Sequence, residues 1–412
     1  MQGEEKNKDI ASSYKPLKNK SIVFSLTGSI SVFKSVDFIR KLRALGARVL
    51  PVMTKGARKF VTPLTVSALC GNEVREFFLT EQDPEISHIK LAKEADLILV
   101  APASANFIAK AAAGICDEII YAILLATRAP VVIAPSMNSF MFTHPSTQTN
   151  LETLKKKGYV IVESPVGDMA CGEKGPGRLA SWPIIREELL KSLYEQSLQD
   201  KNVLITAGPT REPLDPIRFI SNRSSGKMGF ELARIARRRG AKVHLVTGPV
   251  SLDTPYGVKI YKIETASQML DTVLSLLPNM DIIVMAAAVA DFTPSSYNEN
   301  KIKKGQNINK LTIDLIKTPD ILLEISKRRK ENQIVVGFCA ETENLENNAI
   351  KKLENKKLDL IIANDVTKAG SGFDVDTNEV LIIDKNKSIL RLPILPKIEV
   401  SEKIWDKVES LL

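Results

Sequence analysis

Cysteine is scarce in this 412-residue chain and histidine scarcer still, with four of the first and three of the second. Cys70, Cys116, Cys171 and Cys339 stand far apart with no CxxC pair. Neither a disulfide framework nor a zinc site is indicated, and a reducing, cytoplasmic setting is expected. Long apolar runs are missing as well. The best candidates, residues 97–109 and 129–143, are broken by Pro, Ser and Asn and fall short of the ~20 apolar residues of a membrane-spanning helix. The first nineteen residues are polar and lack the apolar centre of a secretory signal, so a disordered extension is expected over 1–19. A basic arm is absent too. The formal charge of +9 divides into +4 in residues 1–200 and +5 in the remainder, whereas nucleic-acid binders concentrate their positive charge.

What is present is a repeated α/β plan, in a chain long enough for two or three domains. SIVFSLTG (21–28) reads as a buried strand running into a turn, and SVFKSVDFIRKLRALGA as a helix closed by Gly46. RVLPVMT, ADLILVAPAS (95–104) and APVVIAPSMN (129–138) are further strand-like runs with small or polar residues at their C-terminal ends. KNVLITAGPT (201–210) starts the plan afresh, followed by KVHLVTGP, MDIIVMAAAVADF (280–292), QIVVGFCAET (333–342) and LDLIIANDV (358–366). Apolar strands separated by amphipathic helices predict an α/β fold of two doubly wound, Rossmann-like domains. Their joint is expected near residues 185–201, in the polar helical stretch EELLKSLYEQSLQDKN, giving domains over 20–190 and 191–412. In such folds ligands bind beyond the C-terminal strand ends.

Gly28-Ser29-Ile30-Ser31 follows the first strand and opens a helix, an arrangement suited to a phosphate and equally to an ordinary Ser cap. A dinucleotide is disfavoured: GxGxxG is absent, and the second strand ends at Thr54 where an acidic residue would bind an adenosine ribose. A mononucleotide such as FMN has no need of that acid, and Ser104 and Asn106 could hold its ring edge. His88 by itself reads as a surface or capping residue, Asn138 as a turn residue and Cys171 as a buried loop cysteine. The glycines around Cys171 (167, 172, 175 and 177) also suit a mobile flap.

Taken in order, Gly28-Ser29, Ser87-His88-Ile89, residues 101–106 (APASAN), Pro135-Ser136-Met137-Asn138 and Ala170-Cys171-Gly172 resemble the flavin-dependent cysteine decarboxylases. SMN stands here for the common AMN. The resemblance implies a flavodoxin-like FMN domain, with Gly28, Ser29, Ile30, Thr54, Ser104, Ala105 and Asn106 toward FMN. It also implies His88 beside the flavin, Asn138 on the substrate carboxylate and Cys171 as proton donor.

In the second half, SSGKMG suggests a P-loop, but GxxxxGK[ST] fails at Ser221 and Met228, leaving a non-Walker anion cradle or a capped loop. KIKKG (301–305) and the pair Lys352 and Lys356, four apart on one helix face, are either solvated charge or a polyphosphate clamp. The set TAGPTREPLDPIRFISNRSSGKMG, AAAVADF, KIKK, KTPDIL, VGFCAET and IANDV closely resembles phosphopantothenate–cysteine ligase. With the flavin half in front, the chain resembles the bacterial bifunctional coenzyme A biosynthesis family. That resemblance implies CTP activation of 4′-phosphopantothenate as an acyl-cytidylate, attack by cysteine, then FMN-dependent decarboxylation. It places Asp291, Lys301, Pro319, Asp320, Ile321, Leu322, Phe338, Lys352 and Lys356 on CTP, with Mg²⁺ carried by the triphosphate. Asn222 would serve the acyl intermediate and Lys301 its formation. It further implies a homo-oligomer, a dodecamer of flavodomain trimers with dimeric ligase domains. A flavin-binding regulatory or scaffold protein without catalysis is the alternative, opposed by intact His88, Asn138, Cys171, Asn222 and Lys301.

Overall fold

The computed structural model describes residues 14–75, 87–168, 172, 174–303, 311–365, 367–368, 370–372 and 374–412. The chain divides into two compact units, Lys15–Glu195 and Gln196–Leu412, the second joined by Tyr14.

In the first unit β1 (Ser21–Leu26), β2 (Arg48–Met53), β3 (Leu97–Ala103), β4 (Val131–Pro135) and β5 (Val160–Ile161) form one parallel sheet in the order β2-β1-β3-β4-β5. This is the flavodoxin-like order, which reverses between β1 and β3. Alternation along β1 explains the two covered faces: Ile22, Phe24 and Leu26 enter one core and Val23 the other. The helix Val32–Ala44 buries Val32, Ser35, Phe38, Ile39 and Leu42, a single stripe at helical spacing. It ends where Gly46 takes φ +96° and the N–H of Ala47 reaches back to Leu42 O at 3.1 Å. Residues 15–19, expected within a disordered extension, belong to this unit: Leu17 is fully buried and its N–H bonds Leu45 O at 3.0 Å. A short antiparallel pair, β6 (Gly167–Asp168) and β7 (Lys174–Gly175), stands apart from the sheet.

The joint helix runs over Trp182–Leu193, shorter than expected. Beyond it Leu198 is fully buried and its N–H is taken by Arg239 O at 2.8 Å, so burial of one leucine overrides the helical pattern.

The second unit holds β8 (Asn202–Ala207), the β9 (Arg211–Pro213) and β10 (Phe219–Ser221) hairpin, β11 (Lys242–Thr247), β12 (Lys259–Lys262) and β13 (Ile282–Met285). Then come the β14 (Phe292–Pro294) and β15 (Leu315–Lys317) hairpin, β16 (Ile334–Glu341), β17 (Leu360–Asp365), β18 (Thr377–Asp384) and β19 (Ile389–Pro396). The main sheet is ordered β12-β11-β8-β13-β16-β17-β18-β19. Its first six strands are parallel in the Rossmann order. The last two are antiparallel, an edge not foreseen in the doubly wound expectation. β13 also stops at Met285, short of the expected 292, because the chain leaves the ladder there. Ala288 bonds Gly208 O, and Ala290 N–H goes to the Thr210 hydroxyl.

Candidate functional site

Each unit carries a cavity at the C-terminal edge of its parallel sheet. In the first, a 690 Å³ cavity opens where the strand order reverses, a size ordinary for a small-molecule site. Gly28, Ser29, Ile30 and Ser31 come to it from the end of β1, Ser104, Ala105 and Asn106 from β3, and Ser136, Met137 and Asn138 from β4. Asp168, Gly177 and Arg178 close it from the far segment.

Three hydroxyls meet at the start of the helix Val32–Ala44. Ser31 Oγ lies 2.6 Å from Ser136 Oγ and 3.0 Å from Ser29 Oγ. Hydroxyls gathered at a helix N-terminus suit an anion. Gly28 packs closely on the Gly56 loop: a Cβ there would sit 3.1 Å from Gly56 Cα, a tight contact. Ser104 caps the helix Ala105–Ala113 by accepting the Phe107 N–H at 3.3 Å, and its own N–H bonds the Thr27 hydroxyl at 2.9 Å. Asn138 caps the short turn Ser139–Thr143 through Phe140 N–H, at 2.9 Å. Gly177 answers a close approach, since a Cβ would lie 2.5 Å from Met137 O at a φ of +115°.

Two expected residues are not at this wall. Thr54 is buried and set back, its hydroxyl shared between Leu26 O and the Ala57 N–H, so it shapes the Gly56 loop. His88 is half-buried on the helix Ser87–Glu94 and does not line the cavity. Cys171 lies outside the described residues.

In the second unit two cavities, of 430 and 470 Å³, share Ala287, Val289, Asp291, Phe338 and Lys352 as walls. The first is bounded by residues 222–229, where Gly226 at φ +76° starts the helix Lys227–Arg238. Gly229 permits that helix to approach β8, because a Cβ would meet Ala207 Cβ at 2.6 Å. Asn222 reaches the same cavity and donates from Nδ2 to Val289 O at 2.8 Å. The second cavity gathers Pro319, Asp320, Ile321, Leu322 and Lys356 with Asp291, Phe338 and Lys352. Lys352 Nζ donates to Phe338 O at 2.9 Å, and Lys356 pairs with Asp320, which caps the helix Ile321–Arg328. Burial pushes the Asp320 carboxyl up, but Lys356 and the Leu323 N–H outweigh it and hold it below the usual range. Burial also pushes the Cys339 thiol up to about 11, which leaves it inert as a nucleophile.

Lys301 is exposed and lines neither cavity. Sequence reasoning missed Asn364, Asn378 and Lys397, which line the first of these two cavities. The buried Lys397 amine donates to Gly372 O at 2.9 Å and Val375 O at 2.6 Å. Desolvation and the neighbouring Lys227 lower its pKa to about 8, against the opposing charges of Asp376, Asp374 and Glu231. Of the three residues missed, only Asn364, in IANDV, lay in a motif the sequence had already singled out.

Residues 10–194 match the family described as Flavoprotein, and residues 198–412 match the DNA/pantothenate metabolism flavoprotein C-terminal domain. The chain is 45% identical over 400 residues to the coenzyme A biosynthesis bifunctional protein CoaBC of Bacillus subtilis (strain 168), covering 96% of this chain and 98% of that one. To the protein of the same name from Escherichia coli (strain K12) it is 43% identical over 366 residues, covering 88% and 90%. The solved C-terminal domain of a coenzyme A biosynthesis bifunctional protein CoaBC aligns at 38% identity and a TM-score of 0.46, over 53% of this chain and 98% of that one. A flavoprotein domain followed by this C-terminal domain defines a two-domain metabolic enzyme class. The chain belongs to the bifunctional coenzyme A biosynthesis family, and it is a decarboxylase and ligase of that pathway.

Proposed function

We propose that the second unit joins 4′-phosphopantothenate to cysteine at the expense of CTP, and that the first decarboxylates the product to 4′-phosphopantetheine with FMN as cofactor. One observation carries the reading: motif residues distant in sequence line a common cavity at the C-terminal sheet edge of each unit.

The first cavity fits FMN. The Ser29, Ser31 and Ser136 hydroxyls would hold its phosphate, and Ser104, Ala105 and Asn106 its ribityl chain and ring edge. Bound there, FMN supplies the two-electron acceptor that an unactivated carboxylate needs before it can lose CO₂. Asn138 orients the substrate carboxylate through neutral hydrogen bonds, which hold it without the strong charge neutralisation of an arginine. Cys171 delivers a proton to carbon in the closing reduction, and family resemblance assigns His88 a part in the reaction although it does not line the cavity.

In the ligase unit Lys352 and Lys356 meet the triphosphate of CTP, with Asp291, Phe338 and residues 319–322 around the nucleotide. Lys301 stabilises charge as the acyl-cytidylate forms, and Asn222 positions the acyl group for attack by the cysteine amine. Among the described residues no cluster of three or more acidic, His or Cys side chains could hold a metal. Mg²⁺ would enter on the triphosphate oxygens, as the family resemblance implies. The enzyme works as a homo-oligomer in the cytoplasm, with flavodomain trimers building a dodecamer and ligase domains pairing. Among the described residues no helix is long and apolar enough to cross a membrane.

The test supplies phosphopantothenate and cysteine with CTP or ATP in separate reactions, and follows pyrophosphate and CO₂. Pyrophosphate with CTP followed by CO₂ supports the scheme. A flavin spectrum without CO₂ release supports the non-catalytic alternative instead.

A further inference from the structure

Where the first sheet reverses its order, β1 and β3 separate before β3 ends. Their ladder stops at Ser25 and Val100, while β3 runs on to Ala103. Backbone groups that a longer ladder would satisfy must find other partners. One side chain serves two of them. The buried Thr27 hydroxyl donates to Pro102 O at 2.7 Å and accepts the Ser104 N–H at 2.9 Å. Between them, the Ala103 carbonyl accepts the Ser136 N–H at 2.9 Å. Residues 102–104 are thus held from both sides just as the chain enters the cavity.

Thr27 does not line that cavity, but the chain on either side of its contact does. Gly28 and Ser29 follow it directly, and the Thr27 carbonyl takes the Ser29 N–H at 2.9 Å. Ser104, Ala105 and Asn106 begin at the N–H that its hydroxyl holds. One of these segments faces the place proposed for the FMN phosphate, the other the place for its ribityl chain and ring edge. A site binds well only when such segments are kept at a fixed spacing, and β-branching leaves threonine few ways to turn.

We propose that Thr27 is the positioning residue of the flavin-side cavity, its hydroxyl setting the spacing between the turn 28–31 and the segment 104–106. This rests on the assignment of FMN to that cavity.

The experiment titrates full-length apoprotein with FMN, read by fluorescence quenching, and unfolds the same apoproteins in urea. Thr27→Val keeps the shape and the branching but can neither donate nor accept, so a buried N–H and carbonyl must shift toward new partners. Its FMN Kd is expected to rise about tenfold, the size of effect that follows when buried polar groups lose their partner. Thr27→Ser keeps the hydroxyl and should bind FMN nearly as the parent does. A hydroxyl that served only the fold would destabilise apoprotein and FMN complex alike, lowering the urea midpoint and leaving Kd unchanged. That result, or a serine variant as weak as the valine one, would overturn the proposal while leaving FMN in the cavity. Thr27→Cys, whose thiol is a weak donor and acceptor, gives the same comparison if the valine variant does not fold. A parental apoprotein that fails to quench FMN would overturn the flavin assignment and the proposal together.

Discussion

Ser31 and Ser136 are 105 residues apart in the chain, and their hydroxyl oxygens lie 2.6 Å apart at the mouth of one helix. The contact joins the turn after β1 to the end of β4 across the place where FMN phosphate is proposed to bind. Ser136→Ala should weaken FMN binding by about 1 kcal/mol, the usual net value of one hydrogen bond, or several-fold in Kd. Ser31→Ala should lose a similar amount, because Ser31 and Ser136 each touch both other hydroxyls. Quenching of FMN fluorescence on titration with apoprotein reads both, and unchanged affinity in both would remove the cluster from the site.

Asn222 donates to Val289 O at 2.8 Å and holds the residue 222–229 segment against the 286–291 segment. Asn222→Asp replaces the donor by a carboxylate that faces a carbonyl oxygen. Nucleotide consumption should continue, with pyrophosphate released, while phosphopantothenoylcysteine forms at least about tenfold more slowly. Normal yields of both would separate Asn222 from the acyl group.

Lys397 gives the stability of the enzyme a slope at alkaline pH. Its folded pKa is lowered to about 8, against about 10.4 in an unfolded chain. Between those values the unfolded state binds more protons, so stability rises with pH across the window, by on the order of 3 kcal/mol if only this group counted. Lys397→Met should flatten that rise relative to the parent. Urea midpoints at pH 7.5 to 10.5 measure the difference, and parallel curves would contradict it.

Cys171→Ser supplies a hydroxyl of similar size but far higher pKa than the thiol's ~8.5, hence a poor acid near neutrality. CO₂ should still be released, while the saturated thiol product gives way to one lighter by two hydrogens. Product mass under anaerobic conditions decides. Loss of CO₂ release as well would make the segment a closing element rather than a proton source.

Strand order in the first sheet follows from a regular alternation of apolar runs and amphipathic helices, and Gly46 ended its helix as its sequence position suggested. The cavity residues Gly28, Ser104 and Asn138 were legible because each lies just beyond the C-terminal end of a strand, where a parallel sheet directs its ligands. Lys397 was not. It lies just after a strand rich in proline and leucine, and its meaning comes from burial against two carbonyls that no local pattern announces. The hairpin β18–β19 was hidden for a related reason: apolar strands look alike whether their neighbours run parallel or antiparallel. Thr54 misled because a strand-end position is not by itself a wall position. Its hydroxyl is used up by the backbone next to it.

The burial of Leu17 sets a boundary for anyone trimming the protein. A protease cut or truncation after Leu17 withdraws a whole leucine from the first core, a loss of about 2–5 kcal/mol by comparison with Leu→Ala changes. It would also strand the carbonyl of Leu45 at the end of the helix that opens the flavin-side cavity. The flavin half therefore begins several residues ahead of its first strand, and a flavodomain started at Ser21 would be expressed with its floor already missing a board.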